Sequence, residues 1–270
     1  MAHPYFDVPT PTVLGHRGAA GTAPENTLLS FERGLALGAD IVESDVHLTR
    51  DGIPVLIHDD AVDRTTDGSG RVADFDLAAL GQLDAGYRFS LDDGESFPFR
   101  GQKLRIPTLD EAFATFPRAR FNLELKEDQP RLVERCLELL KAHSRESITL
   151  LTAELDPVLD RVRSQCQRTG VAPALGASVR DIVAVIRSAL ENRPPDTDSM
   201  ALQIPTEFGG RPLVTPQLVA HAHAHGIAIH VWTINETQEI AALVGQGVDG
   251  IVTDYPGRMA GWVAERGGRH

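Results

Sequence analysis

Two pairs of charged residues in this 270-residue chain are each separated by two positions and could act as metal ligands or bind ions. Glu43 and Asp45 form one such pair, and Glu124 and Lys126 form another. On a β-strand this spacing puts both side chains on one face, about 6.6 Å apart at about 3.3 Å per residue. Three carboxylates that face one space repel one another unless a cation neutralises them. Oxygen-only ligation suits Mg²⁺, Ca²⁺ or Mn²⁺ better than zinc, so Glu43, Asp45 and Glu124 are candidate metal ligands.

A simpler interpretation treats the same acids as exposed or salt-bridged residues. Most acidic side chains in proteins are exposed or paired. Lys126 could then pair with Glu43 or Asp45. For one acid alone this interpretation would be preferred, but several acids at successive strand ends favour a shared site.

Two histidines and an arginine suggest what such a site would do. His16 and His58 each stand beside polar or charged residues, and imidazole titrates near neutral pH, as a general acid or base requires. Arg17 presents a planar fork for a phosphate or carboxylate, and Gly15 and Gly18 let the backbone approach a ligand closely. A hard cation, a guanidinium, an ammonium and two histidines together indicate metal-assisted phosphoryl chemistry.

Short apolar runs that alternate with helix-start signals would position these residues. The nine candidate strands are residues 12–15, 41–46, 54–58, 121–125, 148–152, 172–175, 200–204, 227–233 and 250–253. The predicted helix starts are Thr108 with Glu111, Asp156 before Pro157, Ser178 with Asp181, Thr215 before Pro216, and Asn235 with Gln238. Repeated βα units of this length predict an α/β fold, a (β/α)₈ TIM barrel. Since a barrel has eight places, one candidate lies outside it, and 172–175 and 200–204 are the weakest.

The candidate site residues come at the ends of these strands. Because the C-terminal ends of barrel strands meet around one axis, residues distant in sequence are expected to share a site. Trp232 ends a later strand. We expect it to form a wall that faces the substrate rather than to pack inside the barrel, because tryptophan is seldom fully buried and its N–H needs a partner.

Residues 60–107 break the repeat. They are rich in Gly, Asp and Arg, and a long segment of this kind is usually functional. Because it follows the third strand, we expect this insertion to lie over the C-terminal face. Its aromatic residues fit either a pocket wall or a small separate core: Tyr87, Phe89, Phe97 and Phe99. Only residues 47–53 separate the second and third strands, which is too short for a crossover helix, so an irregular turn at 50–52 is expected.

Composition restricts the class of protein. The chain has 38 acidic and 26 basic residues, a net charge of −12, which disfavours nucleic-acid binding. No apolar run reaches the roughly 20 residues of a membrane helix, and the first residues do not resemble a signal peptide. Cys136 and Cys166 cannot build a disulfide framework. A cytoplasmic enzyme without stable membrane association is expected.

Taken in order, the motifs resemble the glycerophosphodiester phosphodiesterase family. The matching stretches are residues 15–18, 23–27, 41–46, 51–52, 55–59, 63–66, 122–126, 231–235 and 247–254. The resemblance implies one TIM-barrel domain over residues 1–270, with residues 60–107 as a small insertion after the third strand. It also implies cleavage of glycerophosphodiesters, such as glycerophosphocholine or glycerophosphoethanolamine, to sn-glycerol 3-phosphate and an alcohol.

The resemblance further assigns roles to individual residues. It implies a divalent metal, most often Mg²⁺ or Ca²⁺, on Glu43, Asp45 and Glu124. His16 and His58 would be the acid–base pair. Arg17 and Lys126 would lie near the phosphate. The hydroxyl next to the phosphate would attack it, and water would open the resulting cyclic phosphate.

Three other functions compete with this one. A lysophospholipase D, or an enzyme related to phosphatidylinositol-specific phospholipase C, would act on lipid phosphodiesters with the same residues. The net charge argues against a membrane substrate, whereas the aromatic residues of the insertion favour one. A non-catalytic phosphate-binding protein is less consistent with a complete set of histidines and acids. A metal-dependent sugar isomerase would not explain Arg17 beside His16.

Overall fold

Eleven strands are present in the computed structural model, which describes residues 3–267. They are β1 (Thr12–Gly15), β2 (Ile41–Leu48), β3 (Pro54–Leu56), β4 (Arg120–Leu125), β5 (Thr149–Thr152), β6 (Ala174–Leu175), β7 (Ala201–Ile204), β8 (Glu207–Phe208), β9 (Arg211–Pro212), β10 (Ala228–Val231) and β11 (Gly250–Thr253). Eight of them pair in parallel in the order β6-β5-β4-β2-β1-β11-β10-β7. A parallel bridge between Gly176 and Ala201 connects the two ends of this series. The predicted TIM barrel is therefore confirmed.

Helices connect the barrel strands. They are α1 (Leu28–Ala36), α2 (Leu77–Leu80), α3 (Leu109–Thr115), α4 (Pro130–Ala142), α5 (Asp156–Thr169), α6 (Val179–Glu191), α7 (Pro216–Ala224), α8 (Thr237–Gly245) and α9 (Pro256–Ala264). Single 3₁₀ turns occur at Pro4–Phe6, Val72–Asp74 and Glu146–Ile148. Over residues 3–267, no helix combines the length and the apolar character needed to cross a membrane.

The strand that lies outside the barrel is β3, within the candidate segment 54–58. It pairs antiparallel with β2 after a tight turn in which the Thr49 N–H donates to the Ile53 carbonyl. Gly52 supports the turn with a φ of +82°, a conformation that glycine adopts without a steric penalty. The weakest candidates, 172–175 and 200–204, overlap barrel strands β6 and β7. The insertion thus follows a hairpin strand, and the third barrel strand is β4.

Local capping chemistry decided most of the helix starts. Three predicted caps are confirmed: Thr108, Ser178 and Thr215. The other two predicted caps are displaced by one residue. Leu155 rather than Asp156 precedes α5, and Glu236 rather than Asn235 precedes α8. The Asn235 side chain instead bonds to Thr253 at the end of β11 and to Asp254 directly after it.

The insertion forms a small hydrophobic core together with β3 and Ile57. Its buried members are Val55, Ile57, Val62, Val72, Leu80, Ala85 and Ile106. Phe89 and Phe99 pack edge to face with ring centres 5.3 Å apart. The Arg100 guanidinium lies 3.7 Å from the centre of the Phe97 ring and 4.1 Å from that of Tyr87. These aromatic side chains are half-buried and contact one another and arginine, but they are not members of the hydrophobic core.

Candidate active site

The inside of the barrel changes from apolar to polar toward the C-terminal ends of its strands. Its apolar layer contains Tyr5, Leu14, Ile41, Leu150, Ala174, Ala201 and Val252. Alternate residues of a strand face the same side, so the residues two positions beyond the strand members of this layer also face the interior. They are His16, Glu43, Thr152, Gly176, Gln203 and Asp254. This second layer brings together predicted site residues from several strands.

The predicted metal ligands lie side by side on β2 and β4. Asp45 stands opposite Glu124 in the parallel register, and Glu43 precedes Asp45 by two residues. Oε2 of Glu43 accepts a hydrogen bond of 2.9 Å from the Arg17 N–H. Burial and the Asp45 charge raise the pKa of Glu43 to about 7, and burial also raises the pKa of Glu124. Burial therefore disfavours ionisation of these two carboxyl groups more than the neighbouring cations favour it.

Lys126 contacts two of these acids. Its Nζ lies 3.5 Å from Oδ1 of Asp45 and 3.2 Å from Oε1 of Glu124. The salt-bridge interpretation thus holds for Asp45, with Glu124 rather than Glu43 as the second partner. Among residues 3–267, no three His, Cys, Asp or Glu side chains are gathered closely enough to hold a metal as they stand.

His16 forms a pair with an aspartate that follows β11. Its Nδ1 lies 2.6 Å from Oδ1 of Asp254, and Asn235 donates to the other oxygen of that carboxylate at 2.7 Å. Burial disfavours the charged imidazole. The hydrogen bond to Asp254 and the charge of Glu43 outweigh this, so the pKa of His16 is raised. With Nδ1 engaged, Nε2 is the nitrogen left to exchange a proton.

His58 forms a second pair of the same kind, and a chain of ion pairs extends it. Its Nδ1 lies 2.7 Å from Oδ1 of Asp59, and Arg64 Nε donates to Oδ2 of Asp59 at 2.6 Å. Arg64 also bonds to Glu25, which in turn accepts a 2.7 Å hydrogen bond from Arg17. Despite partial burial, the bonds from Arg64 and His58 lower the pKa of Asp59 to about 2. The second histidine is thereby connected to the predicted phosphate-binding arginine.

Arg17 is held at a constrained position between two carboxylates. Its backbone has a φ of +49°, in the left-handed region, and Gly18 follows with a φ of +95°. One guanidinium nitrogen bonds to Glu25, and Nε lies 3.6 Å from Oδ2 of Asp45. That Nε is buried without a hydrogen-bond partner among the described residues. The guanidinium is therefore held in place by carboxylates on two sides, with its buried Nε facing Asp45.

Trp232 directly follows β10, and 45% of its surface is exposed. It does not pack inside the barrel. Its proposed contact with substrate stays a prediction.

The sequence places several further residues of the site in motifs but gives them no role in the site. They are Glu25, Asn26, Asp59, Arg64, Asn235 and Asp254. Asn26, for example, donates to Oδ2 of Asp45 at 3.1 Å and accepts from the Ser44 hydroxyl at 2.6 Å. The position of Asp59 beside His58 was a usable signal, whereas the His16–Asp254 pair joins residues 238 positions apart.

Known proteins share this architecture and these motifs. The model of the glycerophosphoryl diester phosphodiesterase family matches residues 16–258. A glycerophosphodiester phosphodiesterase of Caldanaerobacter subterraneus subsp. tengcongensis is 32% identical, over 94% of this chain and 98% of the relative. A lysophospholipase D of Homo sapiens is 26% identical, over 91% of this chain and 84% of the relative.

A solved structure is also similar. It is that of an Oleispira antarctica phosphodiesterase in complex with the product sn-glycerol-3-phosphate. It is 32% identical in sequence, covers 94% of this chain and 97% of its own, and superposes with a TM-score of 0.76. The match of the family model to most of the chain and the identity to full-length relatives agree with the barrel and its polar layer. The chain belongs to the glycerophosphoryl diester phosphodiesterase family.

Proposed function

We propose that this protein hydrolyses glycerophosphodiesters, such as glycerophosphocholine and glycerophosphoethanolamine, to sn-glycerol 3-phosphate and an alcohol. The observation that carries the proposal is the presence of two Asp–His pairs, His16–Asp254 and His58–Asp59, in one site with Arg17 and Lys126. Membership of the family and the product bound by the Oleispira antarctica relative support it.

The two histidines would act as the general acid and the general base. Each has its Nδ1 paired with an aspartate, which fixes the ring and leaves Nε2 to exchange a proton. One ring would accept the proton of the glycerol hydroxyl next to the phosphate as that oxygen attacks phosphorus. The other would give a proton to the departing alcohol oxygen. An internal nucleophile benefits from proximity. Its attack would give a cyclic phosphate, which water would then open to sn-glycerol 3-phosphate.

Glu43, Asp45 and Glu124 would hold a divalent metal, Mg²⁺ or Ca²⁺, with Mn²⁺ also possible. The donor set fits, because it consists of carboxylate oxygens alone. The raised pKa of Glu43 and of Glu124 fits as well, since a bound cation would favour the ionised carboxylates that burial disfavours. When bound, such an ion supplies electrostatic stabilisation to the phosphoryl oxygens.

The remaining predicted residues would bind substrate. Arg17 would donate to a phosphoryl oxygen, and Lys126, which follows β4, would neutralise part of the phosphate charge. Trp232, exposed at the end of β10, would form an apolar wall.

A lysophospholipase D is the second candidate function. One observation favours it, the similarity to the human enzyme of that name. The same histidines would then act on a substrate whose glycerol carries an acyl chain. The net charge of −12 would weaken approach to an anionic membrane.

The decisive experiment measures release of sn-glycerol 3-phosphate from glycerophosphocholine. Metal-stripped protein would be assayed alone and with Mg²⁺, Ca²⁺ or Mn²⁺, beside His16→Ala and His58→Ala variants. We expect release that requires a metal and falls at least a hundredfold in either variant. Release of choline from lysophosphatidylcholine, with none from glycerophosphocholine, would favour the second function. Near-normal turnover in either variant would contradict the assigned roles.

A further inference from the structure

His47 continues the face of β2 that carries Glu43 and Asp45, yet it has no role in the chemistry above. It lies two residues beyond Asp45, so its side chain leaves the strand on the same side. Only 2% of its surface is exposed. Substrate therefore cannot reach this ring, and any contribution of His47 to the reaction must act through another residue.

Both ring nitrogens of His47 face hydrogen-bond acceptors. Nδ1 lies 2.6 Å from Oε1 of Glu127, and Nε2 lies 3.1 Å from the backbone carbonyl oxygen of His58. A carboxylate and a carbonyl can only accept, so each contact is a hydrogen bond when the ring nitrogen carries a hydrogen. The ring thus connects the residue after Lys126 with the backbone of a proposed acid–base residue.

Glu127 fixes the orientation of the His47 ring. Its Oε1 also accepts from the Leu48 N–H at 3.4 Å, and its Oε2 accepts from the Gln129 side chain at 2.6 Å. The carboxylate is therefore held both by β2 and by the residue that precedes α4. With Nδ1 bound to this carboxylate, the ring presents Nε2 toward the His58 carbonyl.

The His58 carbonyl depends on this one contact. Among residues 3–267, no backbone N–H donates to it. Strand β3 has already ended, and the Ile57 N–H makes the last backbone hydrogen bond before His58. The His58 side chain is tied separately, through its bond to Asp59. His47 is therefore the residue that fixes the backbone from which the His58 imidazole extends.

We propose that His47 is a positioning residue for His58, with Nε2 donating to the His58 carbonyl and thereby keeping the His58 imidazole aimed at the substrate. The proposal rests on the proposed function, in which His58 exchanges a proton with an oxygen of the substrate. Proton transfer requires donor and acceptor at hydrogen-bond distance. A small displacement of the His58 backbone therefore slows the chemical step more than it weakens substrate binding.

Two amide substitutions separate the two bonds of the ring. The amide nitrogen of Gln lies close to the position of Nε2 in His, and the amide nitrogen of Asn lies close to that of Nδ1. His47→Gln therefore keeps a donor toward the His58 carbonyl, whereas His47→Asn keeps only the donor toward Glu127. Both substitutions remove the ring and its packing, so a purely structural role predicts similar effects for the two.

Steady-state kinetics on glycerophosphocholine in Mg²⁺ buffer would compare the two variants. We expect kcat of His47→Asn to fall about tenfold or more with KM within about twofold, and His47→Gln to keep kcat within about threefold of wild type. In a His58→Ala background the two substitutions should have equal effects, because the residue through which His47 acts is gone.

The matched control is His143→Asn, which changes another histidine that pairs with a carboxylate. His143 directly follows α4, and its Nε2 lies 2.7 Å from Oδ1 of Asp110. Neither residue contacts the proposed site, so kcat should stay within about twofold of wild type.

A second measurement needs no turnover. Loss of a hydrogen bond to a carbonyl shifts the ¹³C resonance of that carbonyl, so the His58 carbonyl would be followed by NMR in labelled protein. Its resonance should move in His47→Asn and stay close to the wild-type position in His47→Gln. If the wild type hydrolyses no glycerophosphodiester, the proposed function fails, while the resonance still reports whether His47 holds the His58 backbone.

Two results would overturn the proposal. One is an equal kcat in His47→Asn and His47→Gln, and the other is an unchanged His58 carbonyl resonance in His47→Asn. If His47→Asn does not fold, Glu127→Ala releases the ring without removing it and should lower kcat in the same way. Wild-type turnover in Glu127→Ala would then count against the role of His47.

Discussion

Arg64 and Glu25, 39 residues apart in the chain, form a two-pronged ion pair in which NH1 and NH2 each lie 2.7 Å from a carboxylate oxygen. The same guanidinium bonds to Asp59, the partner of His58, and the same Glu25 carboxylate bonds to Arg17. One arginine of the insertion therefore helps to position both a proposed acid–base residue and the proposed phosphate ligand. This explains why residues near 60 belong to the site although most of the insertion packs on itself.

Arg64→Lys should lower kcat/KM about ten- to a hundredfold. A lysine keeps the charge but cannot bond in this geometry to two carboxylates, so Asp59 and Glu25 would lose their fixed positions. Because Arg64 acts through Asp59, the change should also alter the pH profile of kcat/KM. The control is Arg71→Lys in the same insertion. Arg71 is exposed, and its ion pair with Asp60 is long, at 3.7 Å. Activity of Arg64→Lys within twofold of wild type, with the same pH profile, would contradict the positioning role.

Asp254→Asn should lower the pKa of His16. In the wild type, the bond to Asp254 and the charge of Glu43 outweigh burial and raise this pKa, whereas the variant keeps the burial and loses the aspartate charge. We expect turnover to fall about a hundredfold or more, because the imidazolium loses its stabilising partner. An NMR titration of the His16 ring would measure the pKa directly, and an unchanged or higher value would refute the argument.

The same substitution should change how the free energy of unfolding depends on pH. A histidine pKa that is raised on folding contributes stability that is complete below about 6.5 and is lost as the pH rises through the folded-state value. The free energy of unfolding should therefore differ more between wild type and Asp254→Asn at pH 5.5 than at pH 9. Urea denaturation at the two pH values would show this. If the two proteins differ in free energy of unfolding by the same amount at both pH values, then protonation of His16 does not contribute to stability.

Much of the barrel could be predicted because its signals are local. The two residues of a capping pair, such as Thr108 and Glu111, are three positions apart, and an apolar run of strand length spans only a few residues. The position of β3 outside the barrel has no such local signal, because it depends on antiparallel pairing with β2. Asn235 shows a different difficulty, since the side chain that suits a helix cap is used instead to hold Asp254.

Glu43→Gln should reduce affinity for Mg²⁺ or Ca²⁺ at least tenfold. The amide still accepts from the Arg17 N–H but supplies neither the charge nor the ligand strength of a carboxylate. Because the pKa of Glu43 is raised to about 7, metal binding to the wild type should weaken as the pH falls from 8 to 6, and less so in the variant. Calorimetry at both pH values would measure this, with Glu138→Gln on the exposed side of α4 as the control. Unchanged affinity in Glu43→Gln would exclude it as a ligand.

Replacing residues 90–96 of the insertion by a short Gly–Ser linker should leave hydrolysis of glycerophosphocholine within about twofold of wild type. Ser90, Asp92 and Ser96 hydrogen-bond to one another and to their own backbone, and Leu91 is 64% exposed, so this tip supports no site residue. The insertion core around Val62 and Leu80 should keep the segment folded. Steady-state kinetics on glycerophosphocholine and lysophosphatidylcholine would check both candidate substrates. A loss confined to the lysophospholipid would mean that the tip contacts acyl chains, whereas a loss of more than tenfold on both would place it in the active site.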